Sequence, residues 1–456
     1  MTLAESLPIL MFVALALLLF SGFPVGFVLG GLGLIFGFAG YLLDAFSIIQ
    51  FSTIVSRVFG GVVGNVVLVA IPMFIFMGTM LEKSGVAQNL LYALQVLLRR
   101  VPGGLALSVT MLGIVMAAST GIIGASVVMM SLLALPVMVT QGYNRPLATG
   151  TIAASGTLGI LIPPSIMLVI MGDLMSISVG GLFLAAVLPG LVLSALYMGF
   201  LIVVCSARPN LAPALDAEIG PQTWLDWFKL IFGSFLPPIF LVTVVLGSIF
   251  AGFATPTEAS GVGAAAATLL AALNRKLSFA VLKDVVERSA LTCGMLFLII
   301  IGATCFSYVF RALGGEDLVL DFIRSVPLGQ WGILFMLMGV VFLLGFFFDW
   351  IEITLIVLPI FAPIMLLLDF GEHVGTSREI LTWFAILVAV NLQTSFLTPP
   401  FGFAIFYLKG VAPAAVRIQE VYRGVVPFVL LQLGGLGLVI AWPDLALWLP
   451  RLVLNW

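Results

Sequence analysis

The sequence predicts an all-α membrane protein that crosses the lipid bilayer many times. Of its 456 residues, 62% are hydrophobic and only 8% are charged, whereas soluble proteins carry about 25% charged residues. The mean hydropathy is +1.28. Lipid must therefore solvate most of the chain. Since a helix needs about 20 apolar residues to cross the hydrocarbon core, the apolar segments predict about ten spanning helices.

The composition excludes several classes of function. The net charge of −2 leaves no basic excess for neutralising phosphates, so nucleic acid is not an expected partner. The single histidine, His373, excludes a histidine-rich metal site. No G-x-x-x-x-G-K-[ST] motif occurs, which argues against ATP as an energy source. The three cysteines lie in apolar runs and are predicted to be small buried side chains: Cys205, Cys293 and Cys305.

The spanning segments follow from the apolar runs. The first run lacks the basic start and the cleavage site of a secretory signal, so we predict that it is a retained span. The candidate spans are 6–21, 24–43, 62–82, 146–172, 180–205, 235–253, 256–273, 289–311, 380–407 and 424–444.

Two further apolar blocks, 103–141 and 331–368, are predicted to enter the membrane and turn back. Each is about 38 residues long, which is short for two full crossings and a turn. A loop in water is normally polar and turn-like, whereas their midpoints, MAASTGIIGAS and LGFFFDWIEIT, are small-residue or acidic segments within apolar flanks. We interpret both blocks as re-entrant hairpins, whose tips must be covered by protein or by a water-filled cavity.

The basic residues predict the orientation. With both hairpins turning back and the N-terminus outside, 13 Lys and Arg lie on the cytoplasmic side and 5 outside. This bias obeys the positive-inside rule. It places both termini outside, the first hairpin on the cytoplasmic side and the second hairpin on the outer side.

The two halves of the chain resemble each other. Residues 155–164 (SGTLGILIPP) echo residues 391–400 (NLQTSFLTPP), and weaker echoes follow the same order elsewhere. We therefore divide the chain into a first repeat, 1–210, an amphipathic cytoplasmic linker, 211–234, and a second repeat, 235–456. Inverted repeats of this kind are typical of secondary transporters, whose sites lie at the repeat interface near the membrane midplane.

The Pro-Pro pairs predict that two spans, 146–172 and 380–407, are broken into half-helices. Proline removes a backbone donor and clashes with the preceding turn. A broken helix exposes carbonyls and helix ends that bind a cation or an anionic group. The alternative is two proline kinks satisfied by neighbouring helices. Polar and glycine residues surround both breaks: Ser155, Gly156, Thr157, Pro163, Pro164 and Ser165 at the first, and Asn391, Gln393, Thr394, Ser395, Thr398, Pro399 and Pro400 at the second.

The hairpin tips supply further oxygen atoms. The first tip carries Ser119, Thr120, Gly121, Gly124 and Ser126, which are either ligands or small residues for helix packing. The second carries Asp349 and Glu352, and a carboxylate at membrane depth indicates function unless the hairpin is shallow enough for water. Two other acids are read as structural, Glu258 as a helix cap and Asp173 as an interfacial residue.

Combining tips and breaks predicts two Na⁺ sites with a substrate between them, since oxygen ligands suit hard cations. Bound cations would offset the charge of an anionic substrate. The predicted cation ligands are Ser119, Thr120, Gly121, Gly124, Ser155, Gly156 and Thr157 for one site, and Asp349, Glu352, Asn391, Gln393 and Thr394 for the other. The predicted substrate-binding residues are Ser126, Pro163, Pro164, Ser165, Ser395, Thr398, Pro399 and Pro400.

With these features, the whole chain resembles the large membrane subunit of tripartite ATP-independent periplasmic (TRAP) transporters. The segments that carry the resemblance are 70–78, 118–126, 155–166, 252–260 (GFATPTEAS) and 397–402 (LTPPFG). The resemblance implies an elevator-type Na⁺ symporter for organic anions, such as dicarboxylates, sugar acids or 2-oxo acids, in a bacterial or archaeal cytoplasmic membrane. It also implies two partners, a small four-span membrane subunit and a periplasmic binding protein. Since no small-subunit sequence precedes Met1, we expect that subunit to be a separate chain.

Three alternatives differ in function. A Na⁺- or H⁺-coupled anion symporter of the same superfamily would work without a binding protein. An intramembrane hydrolase is disfavoured because Asp349 has no obvious second catalytic aspartate in a facing span. A purely structural anchor is disfavoured by the hairpins and the acids at membrane depth.

Overall fold

The computed structural model describes residues 3–120, 123–214, 220–221, 223–399, 402–454 and 456, with the backbone alone for 118–120. Helices form most of this part of the chain and no strand occurs in it, which confirms the all-α class. The first half contains α1 (Leu3–Leu19), α2 (Val25–Leu42), α3 (Ile48–Val58), α4 (Ala70–Lys83), α5 (Val86–Leu97), α6 (Gly104–Thr120), α7 (Ile123–Thr140), α8 (Arg145–Thr157), α9 (Ile166–Leu174) and α10 (Val179–Ala207).

The second half begins with a helix that starts within the predicted linker. The hydroxyl of Thr223 caps this helix by accepting from the backbone N–H of Asp226, so residues 224–234 continue directly into the span. The helices are α11 (Trp224–Phe250), α12 (Pro256–Leu273), α13 (Phe279–Ala312), α14 (Gly315–Ser325), α15 (Gln330–Leu344), α16 (Trp350–Met365), α17 (Ser377–Leu397), α18 (Phe403–Val411), α19 (Ile418–Ala441) and α20 (Asp444–Leu454).

Seven helices of the described part are long and apolar enough to cross a membrane, namely α2, α7, α10, α11, α13, α17 and α19. An eighth span results if Ile48–Val63 and Val67–Lys83, which meet at a bend of 53°, are one unit. All of these except α7 coincide with predicted crossings. Three predicted crossings fall outside this count: α1, the broken pair α8 and α9, and α12.

Helices α6 and α7 form a hairpin, because the start of α6 and the end of α7 lie next to each other. The N–H of Leu105, at the start of α6, donates to the hydroxyl of Tyr143, just after α7, at 3.2 Å. The backbone N–H groups of Gly103 and Asn144 donate to the neighbouring carbonyls of Ala212 and Leu211. The arms have 17 and 18 residues, or about 26 Å of helix each.

Helices α15 and α16 form the second hairpin. Trp331, at the start of α15, packs edge-on against Phe370, just after α16, with ring centroids 5.2 Å apart. The arms have 15 and 16 residues, about 23 Å each, which is less than the hydrocarbon thickness of about 30 Å.

The two halves contain the same order of elements and contact each other reciprocally. Helix α2 packs on α13 while its counterpart α12 packs on α4, and α7 packs on α18 while α16 packs on α9. Helix α8 packs on α19 while α17 packs on α10. Such an exchange of equivalent contacts is what an approximate two-fold axis produces. Each hairpin therefore contacts the broken helices of both repeats.

One difference between the counterparts lies before the third span of each half. In the first half, α3 and α4 are separate helices joined through a glycine-containing turn, Phe59–Val63, whereas in the second half the single helix α13 covers both. Residues 279–288 are thus continuous with the span that follows them.

The residues read as structural have structural contacts. Glu258 forms a capping box with Thr255, accepting from the Thr255 N–H at 2.8 Å. Asp173, after the first break, accepts from the side-chain amide of Asn65 at 2.8 Å. Cys205 and Cys305 are buried, whereas Cys293 is only half-buried.

Candidate functional site

The first break separates α8 from α9 at the predicted proline pair. Because Pro163 and Pro164 have no N–H, they cannot donate to the carbonyls of Gly159 and Ile160 one turn earlier. The hydroxyl of Ser165 donates to the Ile160 carbonyl instead, at 2.6 Å. All five residues are buried. The chain thus leaves the helix inside the protein, which is the condition for non-helical backbone at membrane depth.

Pro163 has a second environment that the sequence does not indicate. It lines an apolar cavity of about 220 Å³ between α6, α10 and α11, together with Ile114, Leu191 and Pro238. Because this cavity is apolar, a substrate that contacts Pro163, as predicted, would have to bind on another side of the break.

The second break separates α17 from α18. The hydroxyl of Thr398 donates to the Thr394 carbonyl at 2.7 Å, and Thr398 N–H donates to the Ser395 carbonyl at 3.1 Å. A Cβ atom on Gly402 would lie 2.5 Å from the Phe396 carbonyl oxygen, so only glycine fits at this return of the chain. Pro400 lies outside the described residues.

The structure joins the two breaks through their equivalent residues. The side-chain amide of Gln393 donates to the hydroxyl oxygen of Thr157 at 3.3 Å. Both side chains are fully buried. The predicted ligands of two separate cation sites are therefore in direct contact at the repeat interface.

Sequence reasoning missed two members of this cluster. Gln432 of α19 also donates to the Thr157 hydroxyl oxygen, at 3.3 Å, and the buried hydroxyl of Tyr197 of α10 lies beside Gln432 and Thr157. A signal existed for Gln432, since an amide within the apolar run VLLQLGG is costly in a span unless it has a partner.

One arm of each hairpin is hydrogen-bonded to the broken helix of its own repeat. Ser155 of α8 donates to the hydroxyl of Thr110 in α6 at 3.3 Å. Asn391 of α17 donates to the Met338 carbonyl in α15 at 2.7 Å. Ser155 and Asn391 are aligned in the two repeats, so equivalent positions hold equivalent hairpin arms.

Close backbone approaches reinforce these contacts. A Cβ atom on Gly156 would lie 2.3 Å from a methyl carbon of Val127 in α7, and one on Gly345 would lie 2.0 Å from the hydroxyl of Ser395. A Cβ atom on Gly124 would lie 3.1 Å from the ring of Tyr407 in α18. The first hairpin thus contacts the second half of the other repeat's broken helix.

The described residues include only part of the first hairpin's tip. The side chains of Ser119 and Thr120, and the whole of Gly121, lie outside the described residues. Ser126, one turn into α7, is buried.

The acids of the second tip cap a helix. The Asp349 carboxylate accepts from the Trp350 N–H at 2.8 Å, and the Glu352 carboxylate accepts from the Asp349 N–H at 2.6 Å. The Glu352 N–H also donates to the Asp349 side chain, and together with the bond from the Asp349 N–H this forms a capping box at the start of α16. Glu352 is buried, with 8% of its surface exposed.

The polar atoms around the breaks are suited to a hard monovalent cation. The hydroxyls of Thr157, Thr394 and Ser395 each donate their hydrogen to a carbonyl of their own helix, at 2.9, 3.0 and 2.9 Å. The lone pairs of Thr394 and Ser395 then remain for a cation, whereas those of Thr157 already accept the amides of Gln393 and Gln432. No group of three His, Cys, Asp or Glu side chains suited to a transition metal occurs among the described residues.

Comparisons with known proteins agree with this geometry. The model of the DctM component of tripartite ATP-independent periplasmic transporters matches residues 12–445. A C4-dicarboxylate TRAP transporter large permease protein of Pseudomonas aeruginosa is 30% identical over 85% of this chain and 86% of its own. A sialic acid TRAP transporter large permease protein of Vibrio cholerae is 26% identical over 96% and 97%.

A likeness also extends to a solved structure. The YdaH transporter of Alcanivorax borkumensis has a TM-score of 0.59 and 13% identity, and the match covers 90% of both chains. At that identity the likeness concerns the fold alone.

Proposed function

Because the chain belongs to the DctM family of tripartite ATP-independent periplasmic transporters, we propose that it couples Na⁺ entry to the uptake of an organic anion. The chain is a large membrane subunit of a transporter and not an enzyme. The observation that carries the proposal is the contact of the two broken helices at Thr157 and Gln393, flanked by two helical hairpins.

The substrate proposed is a carboxylate, such as a dicarboxylate, a sugar acid or a 2-oxo acid. The names of the two relatives support this class, since C4-dicarboxylates and sialic acid both carry carboxylates. Within the protein, α9 and α18 each begin at a break without a side-chain cap. Uncapped N–H groups at a helix start favour an anion.

Two Na⁺ ions are proposed at the breaks. The hydroxyl oxygens of Thr394 and Ser395 and the carboxylates of Asp349 and Glu352 are the candidate ligands on the second repeat, with the hydroxyl of Ser155 on the first. When bound, Na⁺ supplies positive charge beside the anion. Cation binding and anion binding then favour each other, which couples uptake to the Na⁺ gradient.

An elevator movement is proposed for the hairpins and broken helices. Helices α6–α10 and α15–α20 pack mainly on one another, and α2, α4, α12 and α13 form a second group. Side-chain hydrogen bonds link the groups at few places, such as Asn65 with Asp173 and Arg311 with the Pro359 carbonyl. A group of helices that forms few hydrogen bonds with the neighbouring group can slide against it.

The proposed assembly is a tripartite complex in a bacterial or archaeal cytoplasmic membrane, with both termini outside. A small four-span subunit binds the large subunit in the bilayer, and a periplasmic binding protein delivers the substrate. The exposed apolar side chains of α2, which include Phe27, Ile35 and Phe38, suit contact with lipid or the small subunit.

Uptake into proteoliposomes tests the proposal. The two membrane subunits are reconstituted, the binding protein is loaded with radiolabelled carboxylates, and uptake is followed under a Na⁺, K⁺ or proton gradient. We expect uptake only with inward Na⁺ and binding protein. Uptake driven by protons, or without the binding protein, would favour the alternative symporter instead.

A further inference from the structure

A buried polar cluster lies where the two repeats meet, and we define it as Thr157, Tyr197, Gln393 and Gln432. The four side chains come from α8, α10, α17 and α19. All are fully buried. The cluster therefore joins four helices with polar atoms that water from outside does not reach.

The hydrogen bonds of Thr157 are complete. Its oxygen accepts from the amides of Gln393 and Gln432, both at 3.3 Å, and its hydrogen is donated to the Ala154 carbonyl at 2.9 Å. A hydroxyl has one donor and two acceptor positions. Thr157 thus has no capacity left for Tyr197.

Three oxygen atoms of the cluster remain without a partner in the described part of the chain. They are the carbonyl oxygens of the Gln393 and Gln432 amides and the hydroxyl of Tyr197. The Tyr197 hydroxyl lies near Gln432 and Thr157 but completes no hydrogen bond. Buried polar atoms are rarely left unpaired, and bridging water is the usual solution.

We propose that one ordered water molecule occupies the centre of this cluster. The water donates its two hydrogens to the amide oxygens of Gln393 and Gln432, and it accepts the hydrogen of Tyr197. All three unpaired atoms gain a partner, and the water makes three hydrogen bonds, the usual number for buried water. A cation suits the cluster less well, because its side chains are all neutral and a buried charge needs compensation.

The water makes Tyr197 and Gln432 positioning residues for the two breaks. Through it, α10 and α19 hold Thr157 and Gln393, which precede the breaks by six residues each. This second part rests on the proposed Na⁺ sites. The presence of the water itself does not.

A cryo-EM map that resolves ordered water tests the first part, with samples prepared in NaCl and in choline chloride. We expect a density peak within hydrogen-bonding distance of the three oxygen atoms in both salts, and its loss in Gln432→Leu, where a leucine of similar length fills the space. An empty cluster in both salts would overturn the proposal. A peak in NaCl alone would also overturn it and would identify a cation.

Na⁺ titration tests the positioning role. We expect Tyr197→Phe to raise the Na⁺ concentration for half-maximal uptake several-fold while the maximal rate stays within twofold. Tyr92→Phe is the matched control, because Tyr92 is exposed. A Tyr197→Phe variant with unchanged half-saturation would overturn the positioning role, whereas a wild type without any Na⁺ response would overturn the proposed function and leave the water in place.

Discussion

The amide of Gln393 donates to the hydroxyl oxygen of Thr157 across 236 residues of sequence, and the two residues occupy equivalent positions of the two repeats. An interaction between equivalent residues lies at the two-fold axis that relates them. Neither repeat can complete this buried bond alone. This hydrogen bond therefore stabilises the relative position of the two broken helices, and moving either helix away from the other would break it.

Replacing Thr157 tests the strength of this contact. We expect Thr157→Val to destabilise the protein by about 2 kcal/mol or more, because two buried amide groups lose their acceptor and each unpaired group costs about 1–3 kcal/mol. Unfolding in detergent, followed by heating or by denaturant, measures the change.

Thr151→Val is the matched control for that variant. Thr151 lies in the same helix and is equally buried, but its hydroxyl donates only to the Leu147 carbonyl of its own helix, at 2.8 Å. We expect a loss of about 1 kcal/mol or less. Equal effects of the two substitutions would contradict a special role for Thr157.

The contact of α8 with α19 requires glycine. A Cβ atom on Gly424 would lie 2.0 Å from the Pro146 carbonyl oxygen, and one on Gly150 would lie 2.0 Å from the Gly424 carbonyl oxygen. We expect Gly424→Ala to cost at least about 1–3 kcal/mol, the usual penalty of overpacking, and to move Gln432 away from Thr157.

Gly437→Ala in the same helix provides the comparison for Gly424→Ala, since a Cβ atom there would meet no atom within 4 Å. We expect this variant to be as stable as the wild type or slightly more stable, because alanine is the better helix former. Thermal unfolding of both variants measures the difference. If Gly424→Ala and Gly437→Ala lose similar amounts of stability, the flexibility of glycine matters and not the close approach of α8 and α19.

The helix breaks and the paired helices α6–α7 and α15–α16 were predictable from the sequence because their causes are local. Pro163 and Pro164 cannot donate backbone hydrogen bonds, so the helix has to end near them wherever it lies. That both helix pairs turn back inside the membrane stays a prediction, drawn from the length of each segment and the thickness of the bilayer. Glu258 was also predictable, since the capping box needs only Thr255 three residues earlier.

Contacts between distant segments were not predictable in the same way. Gln432 and Tyr197 belong to helices without any local chemical motif, and only the packing of α10 and α19 brings them to Thr157. The capping role of Asp349, in contrast, has a local signal, which is the i to i+3 spacing of Asp349 and Glu352. The predicted depth of both acids in the membrane favoured cation binding over this capping motif.

A substitution of Asp349 separates capping from cation binding. Asparagine caps helices about as well as aspartate, so we expect Asp349→Asn to keep its stability without Na⁺ within about 0.5 kcal/mol. We expect the stabilisation by Na⁺ to be lost, since the carboxylate charge is absent. For wild type, Na⁺ at about 100 times its Kd should add about 2.7 kcal/mol. Melting in NaCl, KCl and choline chloride measures both quantities.

Glu258→Gln is the control for Asp349→Asn, because it changes a carboxylate in a capping box away from the breaks. We expect its response to Na⁺ to match that of the wild type. If Asp349→Asn also responds like the wild type, the acid at the second tip is a helix cap and not a cation ligand.

A carbonyl without its helical donor explains the contact of Arg311 with the second hairpin. Pro363 has no N–H for the Pro359 carbonyl one turn earlier, and the guanidinium of Arg311 donates to this oxygen at 2.9 Å. We expect Arg311→Ala to destabilise the protein by about 1–3 kcal/mol, because it leaves the carbonyl unpaired. Thermal unfolding measures the loss.

Restoring the helical donor should remove much of this dependence on Arg311. In Pro363→Ala the backbone N–H of residue 363 is available to the Pro359 carbonyl, so Arg311→Ala should cost less by at least about 0.5 kcal/mol in that background, the usual size of coupling between interacting residues. Arg311 also lies 3.7 Å from Glu316, and a Glu316→Ala background should leave the cost of losing the carbonyl contact unchanged. If the effects of Arg311→Ala and Pro363→Ala on stability are strictly additive, the arginine acts through Glu316. The hydrogen bond from Arg311 would then not stabilise the contact between α13 and the second hairpin.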